Sequence, residues 1–313
     1  MRSHLDLPRI VLVTRKTPWE VLLERCGTAG QVRFYLESKG QPIEPYEDVQ
    51  ERLEAALSTV LGSISPEQRR TRIDRVDLDR FVFNPDDLVV AVGQDGLVPN
   101  IAKYLEGQLI IGVNPDPRRY DGILCAHTPR VFADLLDWIS ARDGRYAIQS
   151  RVMALARRED GQTLRALNEL YLGSQTHQSS RYVLRAGVRE ERQSSSGIIV
   201  GTGTGSTGWC RSIARQRGIE ERLPEPEERR LIWFVREPWP SVTTGTDLEF
   251  GEIAEGDELV VTSELGEDGV IFADGIESDW VEFLDGQTVR ISLAPGGLHL
   301  VVPSIPPPRK PAV

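Results

Sequence analysis

Hydrophobic and polar positions follow one pattern in the first half of the chain and another in the second. In the first half, short apolar runs alternate with stretches of helical spacing, which predicts buried parallel strands covered by helices. Tyr46 to Leu61 repeats its apolar positions every three or four residues and predicts an amphipathic helix. The runs that predict strands are Ile10 to Val13, Val32 to Leu36, Leu88 to Val92 and Leu109 to Val113.

After Gly144 the pattern becomes mostly β, with short strand-like runs separated by Gly, Asp and Pro. Tyr146 to Arg157 reads as one long extended stretch, and Trp209 to Arg217 is the helix predicted in this half. The pattern therefore predicts an α/β domain with a mostly parallel sheet, then a β-rich, sandwich-like domain. We place the α/β domain at residues 1–144, the β-rich domain at 145–302 and a Pro-rich tail at 303–313.

The charge and the cysteines exclude several classes of protein. With 37 Lys and Arg against 47 Asp and Glu, the net charge of -10 gives no general attraction to nucleic acid, so any anion site is local. The three cysteines are widely spaced and the four histidines are scattered, which argues against a disulfide framework or a metal site built by the protein. No apolar run approaches the roughly 20 residues that span a bilayer, and no signal peptide is visible. We expect a cytoplasmic protein with no membrane or nucleic-acid partner.

The stretch from Ile198 to Trp209 has the layout of a loop that binds phosphate. A short apolar strand leads into four glycines alternating with Thr and Ser, and a predicted helix follows. Glycines let backbone N–H groups approach an anion, and the positive end of a helix dipole favours it. The stretch lacks both the Gly-Lys-Ser/Thr ending of a Walker A loop and the spaced dinucleotide fingerprint. Taken alone, a flexible turn explains it about equally well.

A second candidate loop, Gly93-Gln94-Asp95-Gly96, follows the apolar run Leu88 to Val92. In an open α/β sheet, ligands bind at the carboxyl ends of the strands. Glycines there let the backbone approach phosphate, and the aspartate can face a hydroxyl or a metal. An ordinary Asp-Gly turn is the alternative.

Taken together, four segments resemble motifs of the NAD kinase family. Val92 to Gly96 is similar to its Gly-Gly-Asp-Gly motif, Leu167 to Leu170 to its Asn-Glu motif, and Gly201 to Trp209 to its Thr-Pro-Thr-Gly-Ser-Thr-Ala-Tyr loop. Val270 to Gly275 resembles a late Val-Asp-Gly segment, so the resemblance covers roughly residues 88 to 280. It implies an α/β domain followed by a β-rich domain, with the active site between them, in a homodimer or homotetramer.

The resemblance also implies a reaction, in which ATP or polyphosphate transfers a phosphoryl group to the ribose 2'-hydroxyl of NAD. Asp95 would be the catalytic base, and Gly93 and Gly96 would let the loop approach phosphates. Asn168 and Glu169 would hydrogen-bond the dinucleotide, and Mg²⁺ would arrive bound to the nucleotide phosphates. The remaining predicted nucleotide contacts are Thr204, Gly205, Ser206, Thr207 and Trp209.

Departures from the family motifs fall at these same positions. Gln94 stands where the family has its second glycine, Ser196 where it has an Asp, and Gly203 where it has the loop proline. Gly208-Trp209 replaces Ala-Tyr, and the stretch that begins at Arg236 shares only its last part with the family's Pro-x-x-Pro-His-Ser.

Three hypotheses follow from these motifs and departures. The chain is an NAD kinase, a kinase of the same fold with a sugar or another nucleotide as acceptor, or a nucleotide-binding regulator without catalysis. The sequence assigns no role to Arg118, Arg119 or Arg211.

Overall fold

The computed structural model describes residues 8–141 and 144–304, except for the side chains of residues 277 and 278. The chain forms two compact units. The first contains Met1–Gln149 and His299–Val313, and the second contains Ser150–Leu298. The predicted Pro-rich tail lies outside the described residues from position 305 onward.

The first unit is built on one six-stranded sheet with a parallel core. Its strands are β1 (Ile10–Thr14), β2 (Arg70–Asp74), β3 (Leu88–Val92), β4 (Leu109–Val113), β5 (Tyr146–Arg151) and the last strand of the chain, β18 (Leu298–Pro303). The order is β2-β1-β3-β4-β18-β5, and every neighbouring pair from β2 to β18 is parallel. The carboxyl ends of β1 to β4 therefore lie at one edge of the sheet.

Helices surround this sheet and bury it, as its apolar strands require. They are α1 (Pro18–Cys26), α2 (Ala29–Ser38), α3 (Glu44–Gly62), α4 (Leu97–Ala102) and α5 (Phe132–Ala141). One core cluster joins β1, β3 and β4 to the apolar faces of α3 and α5. The predicted helix at Tyr46 to Leu61 is confirmed within α3.

The strand predicted at Val32 to Leu36 is wrong, because these residues lie in α2. The Thr28 side chain accepts a hydrogen bond from the N–H of Gln31 and begins the helix. Val32 and Leu36, four positions apart, share its buried face. Two apolar residues four positions apart lie on one side of a helix. A short apolar run of this length also fits a strand, so the sequence pattern does not distinguish the two elements.

The second unit is a sandwich of two six-stranded antiparallel sheets. The next strands along the chain are β6 (Ala154–Arg158), β7 (Thr163–Ala166), β8 (Glu169–Ser174), β9 (Ser180–Ala186), β10 (Arg189–Ser195) and β11 (Ile198–Gly201). After α6 (Trp209–Arg217) come β12 (Arg230–Val235), β13 (Phe250–Ala254), β14 (Leu259–Ser263), β15 (Gly269–Ala273), β16 (Ile276–Glu282) and β17 (Thr288–Leu293).

The first sandwich sheet has the order β10-β9-β14-β17-β6-β7, and the second has the order β13-β12-β11-β8-β15-β16. A single apolar cluster fills the space between the two sheets. A second cluster packs α6 against the other face of the second sandwich sheet. The predicted fold class, an α/β domain with a mostly parallel sheet followed by a β-rich sandwich, is confirmed.

The domain boundaries of the structure differ from those set by the apolar pattern. The extended stretch Tyr146 to Arg157 is two strands, since β5 pairs within the sheet of the first unit and β6 within the sandwich. The strand β18, placed by sequence in the β-rich domain, also joins the first sheet. Strand patterns alone do not identify the sheet in which a strand will pair.

All three cysteines are free thiols, with Cys125 and Cys210 buried and Cys26 partly exposed. Within residues 8–141 and 144–304, no helix has the length and apolar character needed to cross a bilayer.

Candidate active site

The Gly93-Gln94-Asp95-Gly96 loop lies where β3 ends, as the sequence predicted. The carboxylate of Asp95 accepts three backbone hydrogen bonds, from the N–H groups of Ile123 (2.8 Å), Leu124 (3.0 Å) and Cys125 (2.8 Å). A carboxylate offers about four lone-pair positions, so one remains for a further donor such as a hydroxyl. The side chain is thus held in one orientation by the segment that follows β4.

The same edge of the sheet opens into a cavity of about 670 Å³. Gly93, Gln94 and Gly96 line it, and so does Arg15 after β1 and Arg75 after β2. Ligand pockets for small molecules have about 300–1,000 Å³, so the cavity has the size of a nucleotide-like site. Its position matches the carboxyl-end rule for α/β sheets. Its other walls are largely apolar and come from α1, α2 and α3.

Four cationic side chains line this cavity, and two of them have carboxylate partners. Lys16 bonds to Glu24 at 2.5 Å, and Arg52 bonds to Asp48 and, at 3.3 Å, to Asp116. For Arg15 and Arg75, no carboxylate of the described chain lies within ion-pair distance. Burial and the nearby positive charge of Arg15 lower the pKa of Arg75, and attraction to the cavity-lining carboxylate of Asp74 offsets this only in part. Two guanidinium groups that repel each other beside a cavity create a local site for an anion.

In the second unit, the Gly/Thr loop folds onto the Asn168 segment. The N–H of Thr202 donates to the carbonyl oxygen of Asn168 at 2.9 Å, and the Thr202 hydroxyl donates to the carbonyl oxygen of Leu167. That hydroxyl also accepts hydrogen bonds from the N–H groups of Thr204 and Gly205. These two N–H groups therefore bond within the loop. The sequence pattern instead predicts that the N–H groups of the loop face an anion.

Two of the loop glycines, Gly203 and Gly205, are required by close backbone contacts rather than by a left-handed conformation. A Cβ at Gly205 would lie 2.2 Å from the carbonyl oxygen of Asn168, and one at Gly203 would lie 1.9 Å from that of Glu225. Gly203, where the family has proline, therefore leaves room for the backbone at Glu225. Thr204 and Gly205 are buried, Ser206 and Trp209 are partly exposed, and Thr207 is exposed.

Asp274 fixes the Asn168 segment from the other side. Asp274 (φ 57°) and Gly275 (φ 70°) form a left-handed pair between β15 and β16, typical of an Asp-Gly hairpin turn. The Asp274 carboxylate accepts hydrogen bonds from the N–H groups of Leu167 (3.2 Å) and Asn168 (2.7 Å). The three family-like segments of this unit therefore meet at one place.

The side chains of Asn168 and Glu169 are available to a ligand. In the part of the chain that the structure describes, no group hydrogen-bonds the Asn168 amide or the Glu169 carboxyl. Burial and the negative charge of Asp274 raise the pKa of Glu169 to about 7. A half-buried carboxyl with a perturbed pKa and no hydrogen-bond partner is typical of a binding or catalytic position.

The raised pKa predicts that Glu169 destabilises the unliganded protein at neutral and alkaline pH. Its stabilising contribution is fully present below about pH 4.5, the usual pKa of Glu, and is lost as the pH rises through 7. Glu169→Gln is therefore expected to raise the free energy of unfolding at pH 8 by on the order of 2–3 kcal/mol more than at pH 5. Urea unfolding at both pH values measures this difference.

Glu190→Gln, at an exposed position of β10, is the matched control for this experiment. It is expected to change the free energy of unfolding equally at both pH values. An equal effect of Glu169→Gln at pH 5 and pH 8 would contradict a perturbed carboxyl at position 169.

Several residues of the site were missed by sequence. Arg15 directly follows a predicted strand, so the carboxyl-end rule applied to β1 would have found it. Arg75 follows β2, an edge strand of sequence Arg-Thr-Arg-Ile-Asp that has no apolar run. The partners of Asp95, at residues 123–125, carry no side-chain signal because they bond through the backbone. In the described ranges, no group of three or more His, Cys, Asp or Glu could hold a metal ion.

The α/β sheet carries the Asp-bearing glycine loop, and the β-sandwich carries the Asn-Glu and Gly/Thr segments, which is the arrangement that the resemblance to NAD kinases implied. No family model matches the sequence. The mitochondrial NAD kinase 2 of Rattus norvegicus is 25% identical over 256 residues, which covers 57% of this chain and 60% of that protein. The chain thus spans about three fifths of the length of this curated relative.

Two solved structures share the fold. Yeast NADH kinase in complex with NADH superposes with a TM-score of 0.57 at 13% identity, covering 95% of this chain and 84% of that one. An NAD kinase from Archaeoglobus fulgidus in complex with ATP superposes with a TM-score of 0.53 at 20% identity, covering 94% and 92%. The predicted resemblance is confirmed: the chain is similar to NAD kinases in sequence and shares their fold, at identities of 13–25%.

Proposed function

We propose that the protein is a kinase that transfers the γ-phosphoryl group of ATP to the ribose 2'-hydroxyl of NAD. One observation carries the proposal. The glycine loop that bears Asp95 lines a cavity with two guanidinium groups that lack carboxylate partners, at the carboxyl ends of the parallel strands. The names of the relatives, NAD kinases and an NADH kinase, support the same reaction.

In the proposed reaction, the 2'-oxygen attacks the γ-phosphorus while the bond from that phosphorus to the β,γ-bridging oxygen breaks. The hydroxyl proton passes to Asp95, and ADP leaves. Phosphoryl transfer needs positioning and charge stabilisation more than covalent chemistry. The three N–H groups that bond to Asp95 serve positioning, because they hold the carboxylate in one orientation.

We assign the donor to the cavity of the first unit. Its apolar walls suit a nucleoside, and Arg15 and Arg75 suit the phosphates. Inorganic polyphosphate would use the cations and leave the apolar walls uncovered. This favours ATP over polyphosphate as the donor, and one solved relative is in complex with ATP.

We assign the acceptor to Asn168 and Glu169, with Ser206, Thr207 and Trp209 beside them. An amide offers both a donor and an acceptor to a base edge, and a carboxylate accepts from ribose hydroxyls. Mg²⁺ would arrive on the nucleotide phosphates. Among the described residues, two carboxylates line the cavity, and both already accept hydrogen bonds: Asp116 from Arg52 and the N–H of Arg118, and Asp74 from the N–H of Val76. Bound to the phosphates, Mg²⁺ would neutralise part of their negative charge.

A coupled assay for NADP with NAD, ATP and Mg²⁺ tests the proposal. The expected result is turnover in the usual range of kinases, about 1–100 per second. A melting temperature raised by NAD without NADP formation would instead support the non-catalytic regulator. With neither effect, other acceptors become the candidates, sugars first. Light scattering on the same sample tests the proposed homodimer or homotetramer.

The donor assignment predicts opposite effects of Arg75→Gln on binding and on stability. The KM for ATP is expected to rise by about 10- to 100-fold, because a charge-assisted contact to phosphate is lost. The melting temperature of the unliganded protein is expected to rise, because the substitution removes a charge that burial and the positive charge of Arg15 disfavour. Steady-state kinetics and thermal unfolding measure the two effects.

Arg80→Gln is the matched control, since the Arg80 side chain is 84% exposed and does not line the cavity. It is expected to change neither quantity. If Arg75→Gln leaves the KM for ATP unchanged, the donor does not bind in this cavity.

A further inference from the structure

A second, smaller pocket lies on the face of the second sandwich sheet that packs against α6. Its volume is about 180 Å³, and its walls include the aromatic rings of Tyr171, Trp209, Phe272 and Trp280. Sites for drug-sized ligands have about 300–1,000 Å³, so this pocket has room for one ring system rather than for a whole dinucleotide.

The aromatic walls suit a flat ligand. The Tyr171 and Trp209 rings are nearly parallel, at 8° with centroids 6.2 Å apart, and Phe272 stacks on Tyr171 at 4.7 Å. Trp280, on the edge strand β16, is 41% exposed. A flat heteroaromatic ring placed here would cover apolar surface and stack on these side chains, as bases do on aromatic platforms.

The pocket also has a definite charge. Among its described lining residues, Arg236 is cationic and none is acidic. The Arg236 guanidinium lies 5.0 Å from the centroid of the Trp209 ring, and its side chain is only 28% exposed. Its polar contacts are long, 3.4 Å to the carbonyl oxygen of Ser196 and 3.6 Å to the exposed carboxylate of Glu237. Such contacts contribute little energy, so its N–H groups remain available to a ligand.

The backbone brings Arg236 next to Ser196. The N–H of Ser196 donates to the carbonyl oxygen of Arg236 at 2.8 Å, and the N–H of Arg236 donates to that of Gly197 at 2.9 Å. Ser196 occupies the place of an Asp in the motif that the chain resembles. Ser196 brings no negative charge to this place, and the neighbouring Arg236 guanidinium donates to oxygen.

We propose that this pocket binds a flat heteroaromatic ring that carries a carboxylate, with Arg236 bonding to the carboxylate and the aromatic side chains covering the ring. The consequence for catalysis rests on the proposed function. A dinucleotide acceptor whose pyridine ring carries a carboxylate is favoured over NAD, whose ring carries a carboxamide. Both acceptors have the same adenosine 2'-hydroxyl, so the phosphoryl transfer itself is unchanged.

Calorimetric titration of the whole protein with nicotinic acid adenine dinucleotide and with NAD tests the proposal. The acid is expected to bind at least about tenfold more tightly, since a charge-assisted pair is about twice as strong as a neutral hydrogen bond. Arg236→Gln is expected to bring the ratio of the two dissociation constants close to one. Arg236→Lys, which keeps the charge without the planar fork, is expected to keep part of the preference.

Three further variants separate the contribution of the ring from that of its charge. Trp280→Ala is expected to weaken both ligands equally, whereas Trp239→Ala, at a 70% exposed tryptophan that does not line the pocket, is expected to weaken neither. Arg192→Gln, which removes a half-exposed guanidinium on β10, is expected to leave the ratio unchanged.

Equal affinity for acid and amide, or a preference that survives Arg236→Gln, would overturn the proposal. Its failure is distinct from failure of the proposed function. If neither dinucleotide is phosphorylated but the acid still binds more tightly through Arg236, the kinase proposal fails and the pocket assignment stands. If both are phosphorylated with equal kcat/KM and bind equally, the kinase proposal stands and the pocket assignment fails.

Discussion

Asp95→Asn is expected to lower kcat for NADP formation by about a thousandfold, within the 10²- to 10⁴-fold range of general-base catalysis. The amide cannot take the proton of the 2'-hydroxyl. The KM values for NAD and ATP are expected to change little, since the carboxylate is assigned to the chemical step rather than to binding. Steady-state kinetics with the purified variant measure all three constants.

Asp95→Asn also has a structural effect that needs its own control. The new amide turns an N–H group toward the backbone N–H groups of residues 123–125, so we expect a loss of about 1–3 kcal/mol of stability. Asp87 is a buried carboxylate of the same unit, bonded to Arg9 and to the N–H of Asn84. Asp87→Asn should therefore destabilise the protein without lowering kcat, when both variants are assayed well below their melting temperatures. If the kcat of Asp95→Asn lies within tenfold of the wild-type value, Asp95 is not the catalytic base.

Gly205→Ala is expected to have the second largest effect, raising the KM for NAD by about 100-fold or more and lowering the melting temperature. The added Cβ would lie 2.2 Å from the carbonyl oxygen and 2.7 Å from the carbonyl carbon of Asn168. Because these are backbone atoms, the clash must move the Asn168 segment, including the two side chains assigned to the acceptor. Overpacking of this kind costs about 1–3 kcal/mol or more. Kinetics and thermal unfolding measure the two effects.

Gly266→Ala is the matched control in the same unit, because no atom beyond its chain neighbours lies within 4 Å of the added Cβ. It is expected to leave the KM for NAD and the melting temperature close to wild type. If Gly205→Ala binds NAD normally, the Gly/Thr loop does not position the acceptor.

Both assigned sites contain charge that the unliganded protein compensates only in part. In the first unit, Arg15 and Arg75 repel each other, and in the second, the half-buried Glu169 lies near the carboxylate of Asp274. Such arrangements lower the stability of the fold and persist where a ligand relieves them. The opposite signs suit the two proposed ligands, since cations attract the phosphates of a donor and carboxyl groups accept from ribose hydroxyls. This explains why we expect Arg75→Gln and, at alkaline pH, Glu169→Gln to stabilise the unliganded protein.

One departure from the motifs that the chain resembles has a structural explanation, and three others lie together. Gly203 admits the backbone at Glu225, which a proline ring in its place would not. Ser196 is paired through its backbone with Arg236, and Arg236 lies over Trp209, so three departures form one cluster. Gln94 is exposed and lines the donor cavity, and nothing in the structure explains why it replaces glycine.

The sequence by itself determined the features that local pattern controls. The apolar runs gave β1, β3 and β4, the helical spacing gave α3, and the glycine loops were placed correctly at the ends of β3 and β11. These predictions succeed because a strand buried on both faces, or a helix buried along one stripe, has a recognisable pattern of apolar residues along the sequence. The same pattern failed at β2, whose polar sequence suits an exposed sheet edge, and at α2, where two apolar residues fit either element.

Only the tertiary structure decided which distant groups meet. Arg15 and Arg75 face one cavity because β1 and β2 are parallel neighbours whose carboxyl ends coincide. Asp95 is held by residues 123–125, and the Asn168 segment by Asp274, through backbone N–H groups that every sequence possesses. The pocket at Arg236 exists because β8, β15 and β16 are neighbours in one sheet and α6 packs on that face. Strand order and chain packing create these contacts, and neither has a signature in the residues next to them.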